Sequence, residues 1–98
     1  MAQFLVEVFA PGFGAQELAV AEERARAAAK RVSGKAGAVR YLQATYVPED
    51  ETCFYVFEAP AADLVKRTSA LAGLGDARIV EILERSACPN RKQQGGTK

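Results

Sequence analysis

Histidine and tryptophan are missing from these 98 residues, and methionine occurs once. Without imidazole the chain lacks the commonest general base and the commonest ligand for nickel, zinc or copper. Histidine-based triads and histidine metal cages are therefore excluded. Cysteine is scarce as well: Cys53 and Cys88 lie far apart, and no disulfide framework is expected. Cys53 sits in an apolar run, where a reduced thiol packs as a small hydrophobe. No apolar stretch approaches the roughly 20 residues that cross a bilayer, and no basic segment followed by an apolar run opens the chain. The expectation is a cytoplasmic protein with no membrane partner. An excess of one charge is also lacking, since 13 Lys and Arg face 12 Asp and Glu, so no global field draws nucleic acid. The charge is unevenly spread: residues 1 to 86 hold 10 basic and 12 acidic side chains, while Arg91, Lys92 and Lys98 leave residues 87 to 98 at +3.

Hydrophobic residues make up 49% of the chain, enough for one core and one domain. Gln3 to Ala10 is rich in Phe and Val and is stopped by Pro11 and Gly12, which predicts a strand. Ala15 to Val32 is built of helix formers, with an apolar line of Leu18, Ala21, Ala25, Ala28 and Val32 and an i,i+4 pair of Glu22 and Arg26. Gly34 fits a left-handed stop. Val39 to Val47 and Thr52 to Ala59 form two strands around the turn Pro48-Glu49-Asp50-Glu51. Pro60 opens a helix over Ala61 to Ala72, with Leu64, Thr68 and Leu71 on one face and Gly73 ending it. Arg78 to Arg85 supplies the last strand, and the polar remainder from Asn90 has too little apolar surface to order itself. One domain over 1–86 with a flexible basic tail over 87–98 is expected.

The order βαββαβ predicts an α+β, ferredoxin-like fold: a four-stranded antiparallel sheet with both helices on one face. Alternation assigns Phe4, Val6, Val8, Leu42, Ala44, Tyr46, Phe54, Val56, Val80 and Ile82 to the helices. The open face then carries Leu5, Glu7, Phe9, Tyr41, Gln43, Thr45, Cys53, Tyr55, Phe57, Ile79, Glu81 and Leu83, of which seven are large and apolar or aromatic. A surface of that kind predicts a partner rather than water, and the economical partner is a second copy, giving a homodimeric, α/β-barrel-like assembly. An RNA-binding sheet would stack bases, yet this face has two acids and no basic residue, so no nucleic acid is expected.

Glu7 and Glu81 interrupt the apolar alternation on strands that this fold makes neighbours. Two close carboxylates among apolar walls either raise one pKa for acid/base work or hold a hard cation. With Gln43, Tyr41 and Tyr55 on the same face they form the candidate ligand-binding set. The bland alternative is that the glutamates meet water or a basic side chain at the mouth of the dimer. Cys53 lacks a neighbouring base that would make it a nucleophile. Pro11-Gly12-Phe13-Gly14 precedes a helix but lacks the spacing of a phosphate-binding fingerprint.

The segments FLVEVFAPG, VRYLQATYVPEDETCFYVFEAP and LAGLGDARIVEIL resemble a small uncharacterised ferredoxin-like domain family that includes actinobacterial nickel-binding proteins. The likeness covers residues 3 to 84, and its most specific piece is Thr52 to Pro60. The resemblance implies a ferredoxin-like homodimer and, for some members, a metal near the sheet interface with histidine among its ligands. Relatives place histidine near the positions held here by Gln43 and Thr68, neither of which replaces imidazole. No tight nickel or zinc site and no cofactor are therefore expected. The leading functional reading is a homodimeric protein that binds a small ligand or a weakly held cation. The alternative is a cofactor-free enzyme of monooxygenase, cyclase or isomerase type, with Glu7 or Glu81 as acid/base and Tyr41 or Tyr55 orienting the substrate; it rests on fold analogy.

Overall fold

A computed structural model describes residues 1–83. The expected basic tail, Cys88, the domain boundary after residue 86 and the end of the fourth strand at Arg85 lie outside the described residues. The elements run β1 (Ala2–Phe9), α1 (Ala15–Val32), β2 (Arg40–Val47), β3 (Thr52–Ala59), α2 (Ala62–Leu71) and β4 (Ala77–Ile82). The strands form one antiparallel sheet in the order β2-β3-β1-β4. Phe4, Val6 and Val8 of β1 and Cys53, Tyr55, Phe57 and Ala59 of β3 share a buried core with Ala21, Ala25, Ala28 and Ala29 of α1 and Leu64 and Val65 of α2. Both helices thus lie on one sheet face, and the fold is ferredoxin-like. Phe57 is fully buried there, a burial that contributes about 1.5–3 kcal/mol. The four alanines of α1 let its axis approach the strands closely. Among the described residues no helix is long and apolar enough to cross a membrane.

Local signals account for most boundaries. The Glu17 side chain reaches back to accept the Gly14 N–H at 2.8 Å, closing the start of α1. Gly73 ends α2 in the left-handed region at φ 71°. The end of α1 differs from expectation: Ser33 caps it, its hydroxyl donating to the Ala29 carbonyl at 2.8 Å, and Gly34 and Gly37 exchange two 3.0 Å hydrogen bonds. In α2 the buried residues are Leu64, Val65, Thr68 and Ser69, while Leu71 is exposed. Glu22 and Arg26 do not pair. Arg26 binds Glu23 at 2.7 Å, one residue nearer.

The register corrects the assignment of faces. Directly opposed residues in adjacent strands point to the same side. Val6 opposes Tyr55 and Ile79, and Phe4 opposes Phe57 and Glu81. Cys53, Tyr55, Phe57, Ile79 and Glu81 therefore lie on the helix side, not the open face. Leu5 opposes Val56 and Val80, Gln3 opposes Ile82, and Glu7 opposes Phe54 and Arg78, so these residues make the open face. In β2 a bulge between Tyr41 and Gln43 leaves Leu42 without an opposite residue. This one-residue shift puts Tyr41, opposite Phe57, on the helix side, while Gln43 and Thr45 remain on the open side. Leu83 lies beyond β4 and is almost fully exposed.

Candidate functional site

The five residues expected to form one ligand site are divided by the sheet. Glu7 and Gln43 stand on the open face, whereas Tyr41, Tyr55 and Glu81 stand on the helix face. Glu7 and Glu81 thus occupy opposite sides of two paired strands and do not repel one another. Glu7 instead accepts a hydrogen bond from Arg78 Nη1 at 3.1 Å, the basic-partner alternative. Glu81 is exposed on an edge strand, beyond the Ala77 and Ile79 end that packs against the core.

On the open face a central row of Val56, Leu5 and Val80 crosses three strands. Phe54 and Ile82 stand diagonally to it, and ion pairs flank it. Arg78 with Glu7 lies on one side and Arg40 with Glu58, at 3.0 Å, on the other. The side-chain oxygen of Gln3 is buried on this face and has no hydrogen-bond partner among the described residues.

On the helix face the tyrosines form a polar cluster beneath α1. The Tyr41 hydroxyl donates to Glu22 Oε2 at 2.9 Å, its ring edge meets Phe57, and the Arg26 guanidinium lies 5.2 Å from its ring centre. The Tyr55 ring and the Cys53 thiol are neighbours on the same face of β3, both buried in the core. Burial, then the bond to Glu22, pushes the Tyr41 hydroxyl well above its ordinary range. Burial, then the neighbouring Cys53 thiol, does the same to Tyr55. The Cys53 thiol is pushed up mainly by burial as well. Three protonated groups in a packed layer make a structural network, not an activated nucleophile or base.

Beside this cluster a cavity of about 790 Å³ opens between the first half of α1, the end of β1 and the turn after α2. Tyr55 and Val8 line its depth, Phe13 and Leu74 its sides, and Val20 and Arg24 its exposed parts, with the end of β1 at Phe9 forming its rim. Sequence reasoning missed this cavity. It depends on how α1 and the α2–β4 turn spread over the sheet, and the only local hints were the apolar Phe9 and Val20 at exposed positions.

The residues present do not fit a nickel site of the kind the resemblance implies. Gln43 is exposed on the open face, while Thr68 is buried in α2 across the sheet, its hydroxyl donating to the Leu64 carbonyl at 2.8 Å. Among the described residues no three His, Cys, Asp or Glu side chains converge as a metal site would require.

No family model matches the chain, and neither does any curated protein. Among solved structures it is similar to SCO4226 from Streptomyces coelicolor A3(2), with 25% identity and a TM-score of 0.73 over 87% of this chain and 100% of that one. The likeness spans the whole βαββαβ unit, and a ferredoxin-like α+β domain is what this chain shares with that protein.

Proposed function

We propose that this chain is a non-enzymatic, homodimeric protein that binds a small ligand, its two copies joined through the open faces of their sheets. The observation that carries the reading is the apolar row Val56, Leu5 and Val80 on a sheet face that no described element covers. Val56 is already buried in a single copy, and Leu5 and Val80 are left half-buried, for which water is a poor neighbour. A second copy related by a two-fold axis would set the same patch against itself. The small-ligand part of the reading rests on the cavity beside α1, whose size falls in the range of ligand sites. The enzyme alternative loses the paired carboxylates it was built on, because the sheet separates Glu7 from Glu81.

Sedimentation and light scattering test the dimer. At micromolar concentration the protein should run at twice the chain mass of 10.5 kDa. Val80→Lys, which places an ammonium group inside the contact, should run as a monomer with an unchanged circular dichroism spectrum. Phe57→Asp should instead unfold the chain, since that side chain lies in the core. A native protein of single-chain mass would sink the dimer.

A further inference from the structure

The cavity beside α1 combines three features that together select a chemical class of ligand. Its volume of about 790 Å³ exists because α1 contributes the small Ala19 and Ala21 where larger side chains would fill the space. Val20 is 52% exposed, which leaves a large apolar group at the cavity mouth wet unless something lies against it. Charge supplies the third feature. Arg24 lines the cavity, and no carboxylate among the described residues comes within ion-pair distance of it. Glu17 also lines the cavity, at its Gly14 end, where its carboxylate accepts the Gly14 N–H at 2.8 Å and leaves Arg24 unpaired among the described residues. Two helical turns beyond Arg24, Arg31 lines the adjoining groove against the same Ala72–Gly73 turn, so the positive charge is continuous along this side.

We propose that the cavity binds a small aromatic or short-chain aliphatic carboxylate. Its hydrocarbon part lies against Phe13, Val20 and Leu74, and its carboxylate pairs with Arg24. The planar guanidinium matches a carboxylate in a two-point contact, and the apolar walls strengthen that pairing by excluding water. The inference rests on the small-ligand half of the function proposed above and is independent of the dimer.

Two probes of one shape decide it: 2-naphthoate and its neutral relative 2-naphthamide, each titrated into the full chain and followed by amide NMR shifts. The acid should move the signals of Phe9, Phe13, Val20, Arg24 and Leu74 and bind about tenfold more tightly than the amide at low salt. Arg24→Gln, an exposed change on α1, should keep the fold and make the two probes equal. Equal affinities for the native protein, or a preference for the acid that survives Arg24→Gln, would overturn the anion while leaving a small-ligand protein. Shifts confined to the open sheet face would overturn the location. Binding of neither probe at millimolar concentration would overturn the inference and remove the cavity on which the small-ligand reading stands.

Discussion

Raising the pH should unfold this domain through the polar layer beneath α1. Tyr55 and Cys53 are almost wholly buried, and Tyr41 is half-buried with its hydroxyl on Glu22. The folded chain holds all three protons more tightly than an unfolded chain, which releases them near the ordinary values of 9.0 for Cys53 and 10.0 for the tyrosines. Folded values that exceed unfolded ones give a stabilisation that is complete below pH 9 and lost as pH rises. Each retained proton costs about 1.4 kcal/mol per pH unit over that window. Between pH 10 and 12 Tyr55 alone removes about 2–3 kcal/mol; Tyr41 removes less, because solvent screens a half-exposed group. Cys53 adds its share from pH 9. Against a total stability of about 5–15 kcal/mol, these losses are large enough by about pH 12 to unfold a chain at the low end of that range. The assay is tyrosinate absorbance followed alongside far-ultraviolet circular dichroism. Two of the three tyrosines should ionise only as the helical signal disappears, and Tyr55→Phe should make the loss of stability with pH shallower by about one proton. If all three tyrosines ionise near pH 10 with the dichroism unchanged, the layer is open to water and the reasoning fails.

Gly37 lies at φ 136°, and a Cβ there would collide with the Pro60 ring. Gly37→Ala should therefore cost about 3 kcal/mol or more from strain and overpacking together. Gly73→Ala has a similar left-handed backbone at φ 71° but open space around it and should cost only about 1–2 kcal/mol. Equal losses in melting temperature would show that the Pro60 contact is unimportant. In the Val80→Lys background Glu7→Gln should cost less than about 1 kcal/mol by urea unfolding, since Arg78 is 71% exposed and Glu7 35%; a loss above about 2 kcal/mol would contradict that exposure.

Element order, strand pairing and the neighbouring positions of β1 and β4 were legible from turn residues and apolar runs, but the faces were legible only where a strand is two-sided in composition. β1 alternates around Glu7, and its faces were read correctly. β3, TCFYVFEA, is apolar on both parities, so its composition does not separate the two faces. Only its pairing with β1 tells Tyr55 from Phe54. In β2 the extra residue at Leu42 changes the phase partway along, which no fixed period of two can follow. β4 misled in another way: Glu81 is polar and faces the helix side, at an edge position that the helices leave uncovered. The candidate site inherited these errors. Its two glutamates were placed together by parity, and parity failed on one of the two strands.

The bulge in β2 bears on how the molecule meets other molecules. β2 is an outer strand, and a regular outer strand offers an unbroken row of amide donors and carbonyl acceptors to any extended peptide. Leu42 breaks that repeat, so a foreign strand cannot stay in step with the ladder along its length. The opposite edge, β4, is six residues long and carries Arg78 and Glu81, two charges that penalise docking of an apolar strand. Both rims thus resist edge-to-edge growth. The proposed pairing through the flat of the sheet would close on itself after one contact, without open-ended stacking into fibres.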